Sequence, residues 1–154
     1  MAVEIERKFL LVNDSWRVNA VGVLFRQGYL CTAPERTVRV RLEGEVGRLT
    51  IKGKAQGIVR PEYEYEIPAK EAVELLEAHC LRPLVEKTRY RIEYVGQLWE
   101  IDEFHGDNAG LIVAEIELEA ESQEFTLPDW VGKEVSDEPR YFNANLVKKP
   151  FKEW

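Results

Sequence analysis

The sequence is poor in the residues that build thiol or imidazole sites. It has two cysteines and two histidines among 154 residues. Cys31 and Cys80 lie far apart, so we expect reduced thiols rather than a disulfide framework, and with no export signal this predicts a cytoplasmic protein. His79 and His105 are isolated, and neither has the spacing of a metal site. Thiols and imidazoles therefore give no candidate site.

Long hydrophobic runs are also missing. No run approaches eighteen apolar residues, so we expect no membrane-spanning helix. The first residues lack the basic segment and apolar stretch of a secretory signal. Internal repeats, low-complexity segments and linkers are absent as well, so the sequence predicts one domain over residues 1–154.

The charge balance is acidic, with 28 Asp and Glu against 21 Lys and Arg and a formal net charge of -7. This balance argues against nucleic acid or an anionic membrane as a partner. It does not exclude a local basic pocket for a small polyanion.

Most of the chain has the period-two pattern of strands. Eight strands are predicted, at residues 1–10, 23–30, 37–42, 48–53, 60–67, 85–95, 98–104 and 111–119. Between the fifth and sixth, residues 68–80 have the apolar spacing of an amphipathic helix. A short helix is predicted at 121–125, and a C-terminal helix that Ser136 would cap and that would run to 147. The longer helices are expected to cover the outside of the sheet.

Charged side chains of both signs occupy alternate positions in at least six of these strands. Glu4, Glu6 and Lys8 share one face of the first strand, because successive side chains of a strand point to opposite faces. Either these faces lie in water, with the apolar faces buried, or they line the lumen of an eight-stranded barrel. Alternation alone cannot distinguish the two arrangements.

The chemistry of the charged set favours the lumen. Burial of many charges without a ligand would be costly, and a triphosphate with a divalent metal ion would remove that cost. Carboxylates are hard oxygen ligands for Mg²⁺ or Mn²⁺, and arginines bind phosphate oxygens as bidentate forks. Arg7 is expected on the opposite face, and Arg48 and Arg91 near strand ends, outside the site.

The segment Glu4-Ile-Glu-Arg-Lys8 resembles the ExExK signature of the CYTH superfamily, the triphosphate tunnel metalloenzymes. The resemblance continues along nearly the whole chain. Further positions that match are Arg39, Arg41, Lys52, Glu62, Glu64, Lys87, Arg89, Asp102, Glu115 and Glu117. Tyr141, Asn143 and Leu146 resemble the RYxNxxL tail of the short bacterial members.

The resemblance implies an α+β fold, an eight-stranded, mostly antiparallel β-barrel with helices outside, which need not close completely. It also implies metal-dependent hydrolysis of the terminal phosphoryl group of inorganic triphosphate, with Mg²⁺ or Mn²⁺ as cofactor. The implied metal ligands are Glu4, Glu6, Glu115 and Glu117. The implied catalytic residues are Lys8, Lys87 and Asp102. The implied substrate-binding residues are Lys8, Tyr29, Arg39, Arg41, Lys52, Glu62, Glu64, Lys87 and Arg89.

Other functions remain open at this stage. Class IV adenylate cyclases share the signature, and nucleoside or thiamine triphosphates are alternative substrates. A polyphosphate-binding module without turnover is a further alternative. A triphosphate-containing small molecule is the expected partner in each case, and the chain could form a homodimer.

Overall fold

The computed structural model describes residues 2–154, and nine β-strands make up about half of it. The strands are β1 Val3–Leu11, β2 Gly22–Ala33, β3 Arg36–Glu43, β4 Val46–Gly53, β5 Val59–Ile67, β6 Val85–Tyr94, β7 Gln97–Phe104, β8 Ile112–Glu117 and β9 Val131–Glu134. The α-helices are α1 Ala69–Ala78 and α2 Asn143–Lys148. Short 3₁₀ turns lie at Ser15–Arg17, Gly106–Asn108, Pro139–Tyr141 and Phe151–Glu153.

The strands form one antiparallel sheet in the order β5-β4-β3-β2-β6-β7-β8-β1-β9. A further antiparallel pairing joins β1 to β5, so strands β1 to β8 close into a ring. The prediction of an α+β fold built on an eight-stranded antiparallel ring is therefore confirmed. The short β9 adds to β1 outside this ring.

β1 uses both of its edges to close the ring. One edge pairs with β8 through residues 6–10. The other edge pairs first with β5, through residues 3–5, and then with β9. The β1–β5 seam has only three residue pairs, and it is extended by a backbone bond from the Glu62 N–H to the Ala2 carbonyl at 3.1 Å.

The prediction of a helix at 68–80 is confirmed by α1, which lies on the outside of β3 and β4. Ala72 and Leu76 are fully buried there against Val40. This is the packing expected of an amphipathic helix that lays its apolar face on a sheet.

The other two helix predictions were wrong in part. Residues 121–125 form turns and irregular chain, and Phe125 packs its ring edge-on against Trp99 on the outside of the ring. The C-terminal helix begins at Asn143 rather than after Ser136. The Ser136 hydroxyl instead accepts the backbone N–H of Lys8 at 2.9 Å, a long-range contact that outcompetes a local cap.

α2 also differs from its expected place outside the barrel wall. Leu146 is fully buried in a cluster with Tyr29, Val85 and Val113, and Asn143 reaches the central cavity. The helix therefore closes one end of the ring. Within residues 2–154, no helix has the length and apolar character needed to cross a membrane.

Candidate active site

The interior of the ring is a charged cavity of about 580 Å³. Strand register explains its lining, because Lys8 lies directly opposite Glu115 and Glu6 directly opposite Glu117 on the inner face. The predicted site residues that line the cavity are Glu4, Glu6, Lys8, Tyr29, Arg39, Arg41, Lys52, Glu62, Glu64, Lys87, Arg89, Glu115 and Glu117. The structure thus brings together every predicted site residue except Asp102.

One side of the cavity is a wall of buried cations. Arg39, Arg41, Lys87 and Arg89 are each less than 10 % exposed. The Phe25 ring lies among them, with the guanidinium carbons of Arg41 and Arg89 5.1 and 5.0 Å from its centroid. Attraction to the face of an aromatic ring offsets part of the cost of burying these charges.

The basic wall has unused capacity for an anion. Nε of Arg39 is buried without a hydrogen-bond partner in the described chain, whereas its NH2 group donates to Thr50 Oγ1 at 3.2 Å. A buried guanidinium N–H without an acceptor is costly, and a phosphate oxygen would satisfy it.

Asp102 lies behind this wall, not in it. Its carboxylate accepts from Arg89 in bidentate fashion at 2.8 and 2.9 Å and pairs with Lys87 at 2.9 Å. Burial opposes its ionisation, but the two cations outweigh burial and hold the pKa of Asp102 well below its usual value. The expectation that Asp102 acts on the reacting atoms is therefore corrected, because its side chain is fully buried and does not line the cavity.

Repulsion and burial also act on the cations themselves. Burial, then repulsion from Arg89 and Arg41, lower the pKa of Lys87 to about 7 against the opposing attraction of Asp102. Burial, then Arg39 and Arg89, lower the pKa of Arg41 to about 10. An anion that binds beside these two groups would stabilise their charged forms.

The opposite side of the cavity is acidic. Glu4 pairs with Lys52 at 3.0 Å, and Glu115 pairs with Lys8 at 3.3 Å. Glu6 has no cation within 4.0 Å among residues 2–154. Burial, then repulsion from Glu115 and Glu4, raise its pKa well above the usual value.

Glu117 extends this acidic side. Burial raises its pKa, and repulsion from Glu4 and Glu100 adds to the effect. Glu62, across the seam on β5, has its pKa raised to about 7 by burial and then by Glu4. The acidic side therefore holds carboxylates that repel one another.

These carboxylates fit a hard divalent cation by their chemistry. In residues 2–154 no three acidic, histidine or cysteine side chains already converge on one point in metal-binding geometry. The donors are nevertheless all carboxylate oxygens, which Mg²⁺ and Mn²⁺ prefer. The partnerless Glu6 would gain the counter-charge that it lacks.

Sequence reasoning missed several residues at the cavity. Arg48 and Arg91, expected outside the site, line its mouth and pair with Glu43 and Glu100. Arg91 has the same parity as Arg89 and Arg48 the same parity as Lys52, so the alternation itself contained the signal. Arg7, as expected, lies on the outer face, where its Nε donates to Glu134 at 2.9 Å.

Comparison with known proteins places this geometry in a family. Residues 2–151 match the model of the CYTH domain. The chain is 51 % identical to an inorganic triphosphatase of Acetivibrio thermocellus over 99 % of this chain and 97 % of that protein. It is 38 % identical to an inorganic triphosphatase of Nitrosomonas europaea, over 94 % of this chain and 96 % of that protein.

A solved structure agrees with these relatives. The crystal structure of an inorganic triphosphatase that is 36 % identical superposes with a TM-score of 0.65, covering 96 % of this chain and 95 % of that one. A family match over almost the whole chain, with relatives of this identity and coverage, settles the membership. The chain belongs to the CYTH domain family.

Proposed function

We propose that this protein hydrolyses the terminal phosphoryl group of inorganic triphosphate to give pyrophosphate and phosphate, with Mg²⁺ or Mn²⁺ as cofactor. One observation carries the proposal: a buried wall of four cations faces a group of mutually repelling carboxylates across a single cavity. A triphosphate complements the first wall, and a divalent cation complements the second.

The enzyme class has separate support. Both curated relatives are named inorganic triphosphatase, so the prediction of a hydrolase of the triphosphatase type is confirmed at that level. The choice of inorganic triphosphate over a nucleoside triphosphate, and of the metal, is our proposal.

The basic wall would bind and orient the substrate. Arg39, Arg41, Lys87 and Arg89 present several N–H groups to the phosphate oxygens, and Lys8 and Lys52 add charge from the acidic side. Water attacks the terminal phosphorus, the bridging P–O bond breaks, and pyrophosphate leaves with the bond electrons. Fixed cations stabilise the negative charge that spreads over the phosphate oxygens in the transition state.

The acidic side would hold the metal. Glu4, Glu6, Glu115 and Glu117 are the residues that we assign to it. A divalent cation supplies positive charge beside the phosphate oxygens and lowers the pKa of a water molecule that it binds. Asp102 would not contact the substrate, and it positions Lys87 and Arg89 from behind the wall.

Product analysis tests this function. The protein is incubated with tripolyphosphate, ATP, thiamine triphosphate or long-chain polyphosphate, each with Mg²⁺ or Mn²⁺, and products are separated by ion-exchange chromatography. We expect one phosphate and one pyrophosphate per tripolyphosphate, at a higher kcat/KM than for the other substrates. Cyclic AMP from ATP would indicate a cyclase instead, and tight tripolyphosphate binding without phosphate release would indicate a binding module.

Some expectations from the sequence stay predictions. They are a single domain, a cytoplasmic location, a homodimer, and no nucleic-acid or membrane partner. The free thiols of Cys31 and Cys80 support the cytoplasmic location.

A further inference from the structure

Asn143 joins the C-terminal segment to the basic wall. It is the first residue of α2, and its side chain reaches the end of the cavity. Its Oδ1 atom accepts hydrogen bonds from Lys87 Nζ at 3.0 Å and from Gln27 Nε2 at 2.7 Å. Leu146, one turn later and fully buried, fixes the helix that carries Asn143.

Gln27 extends this contact to a second cation. It is fully buried, and its Oε1 atom accepts from Arg41 Nε at 3.1 Å. The result is a continuous chain of hydrogen bonds from Arg41 through Gln27 and Asn143 to Lys87.

The chemistry of its ends fixes how both amides are turned. Arginine and lysine can only donate. Gln27 must therefore turn its oxygen to Arg41 and its NH₂ group to Asn143, and Asn143 must turn its oxygen to both Gln27 and Lys87. Either amide, if flipped, would place two donors against each other.

This arrangement leaves each cation with a defined direction for its remaining donors. An ammonium has three N–H groups, and Asp102 and Asn143 accept two of those of Lys87. The third has no acceptor in the described contacts, and Lys87 lines the cavity. Arg41 donates its Nε–H to Gln27, and an N–H of one terminal nitrogen donates to Glu43 at 3.1 Å. The other terminal nitrogen of Arg41 has no hydrogen bond in the described contacts.

We propose that Asn143 and Gln27 are positioning residues that aim Lys87 and Arg41 at the phosphates of the bound triphosphate. This inference rests on the proposed triphosphatase function. Neutral amides suit the role, because they hold the cations through hydrogen bonds without cancelling the positive charge that the phosphates need. Carboxylates at these two places would bring two more negative charges to a site for a polyanion.

The first test compares two asparagines whose side-chain oxygens accept hydrogen bonds. Asn143→Leu keeps most of the side-chain volume and removes the acceptor. Asn108→Leu is the matched control, because the Oδ1 atom of the buried Asn108 accepts the Phe151 N–H at 2.9 Å and the residue does not line the cavity. We expect Asn143→Leu to lower kcat/KM for tripolyphosphate, and the affinity for imidotriphosphate, by about 10- to 100-fold, the usual size for a lost hydrogen bond to a charged group. Asn108→Leu should change both by less than about twofold.

The second test asks whether Asn143 acts through Lys87. The same substitution is made in a Lys87→Met protein, and imidotriphosphate binding is measured so that residual turnover is not needed. Residues that act as one unit give non-additive losses. We expect the effect of Asn143→Leu to fall to about threefold or less in this background, the remainder coming from the Gln27–Arg41 arm.

Four results separate the possibilities. An undiminished loss in the Lys87→Met background, or equal losses from Asn143→Leu and Asn108→Leu, would overturn the positioning role. Wild-type hydrolysis with an unaffected Asn143→Leu variant would overturn the positioning role alone, whereas no phosphate release by the wild type would reject the proposed function first. Melting temperatures show whether each variant folds. If the Asn143→Leu protein does not fold, Asn143→Ala takes its place.

Discussion

Lys87 and Asp102 form an ion pair with 2.9 Å between the ammonium nitrogen and a carboxylate oxygen, and neither side chain is more than 1 % exposed. The same carboxylate also holds Arg89. Arg89 also pairs with Glu100 at 3.3 Å and with Glu115 at 3.7 Å, whereas Lys87 has no other carboxylate within 4.0 Å among residues 2–154. Asp102 is thus the fully buried counter-charge that Lys87 and Arg89 share.

Removal of the Asp102 charge should be expensive. Asp102→Asn leaves Lys87 and Arg89 buried without their shared counter-charge, and we expect a loss of about 3–5 kcal/mol in the free energy of unfolding. Chemical denaturation measures it. Glu103→Gln is the neighbouring control, because Glu103 pairs with the partly exposed Arg17 on the outside and should cost at most about 1 kcal/mol. Equal losses would mean that Asp102 is not the charge that holds the wall.

The partnerless carboxylate should behave in the opposite way. Glu6→Gln removes a repelled charge, so we expect an apo melting temperature at or above that of the wild type. The same change removes a proposed metal ligand and should lower kcat/KM by more than about tenfold, or 1.4 kcal/mol, at saturating Mg²⁺. Thermal melts and phosphate-release kinetics give the two readouts. A variant that kept more than a tenth of the wild-type rate would remove Glu6 from the metal site.

The basic wall should differ from cations outside the ring. Arg39→Ala, Arg41→Ala and Lys87→Ala should each lower kcat/KM for triphosphate by about 10- to 1000-fold, or 1.4 to 4 kcal/mol. Arg7→Ala, on the outer face against Glu134, should leave kcat/KM within about twofold of the wild type. Steady-state kinetics on the four variants make the comparison, and similar losses throughout would argue against an inward-facing basic wall.

Glu62 should make the stability of the apo protein depend on pH. Its pKa is about 7 in the folded protein, above the usual value of 4.5, because of burial and then Glu4. Between these pH values the folded state binds more protons than the unfolded state, so stability falls as the pH rises through this window. Glu62→Gln removes the penalty, and we expect its melting temperature relative to the wild type to be higher at pH 8 than at pH 4.5.

The exposed Glu66 on the same strand provides the comparison for Glu62. Glu66→Gln should shift the melting temperature by a similar small amount at both pH values. A Glu62→Gln curve that runs parallel to the wild-type curve from pH 4.5 to pH 8 would contradict the raised pKa.

The sequence predicted the face of a strand correctly where charged residues alternate with apolar ones. Alternation put Glu4, Glu6 and Lys8 on one face, but only the pairing of Lys8 with Glu115 shows that this face looks into the ring. The depth of Asp102 could not be read from alternation, because Lys87 and Arg89 cover it through contacts between different strands.

Neutral and long-range features were harder to predict. Gln27 carries no charge, and nothing local links it to Asn143, which lies 116 residues later. The four residues of β9 are too few for a periodic signal, and their pairing depends on the position of β1. Ser136 looked like a helix cap because its partner, the Lys8 N–H, is remote in sequence.

The three-pair seam between β1 and β5 has a consequence for where the ring opens locally. With so few backbone bonds, its amides should exchange with solvent sooner than those of β2 and β3, which share eight residue pairs. Glu4 lies on the β1 side of the seam and Glu62 on the β5 side, and Lys52 forms an ion pair with each of them. A ligand bound to residues on both strands would cross-link the seam, so amide exchange there should be slower in the ligand-bound protein.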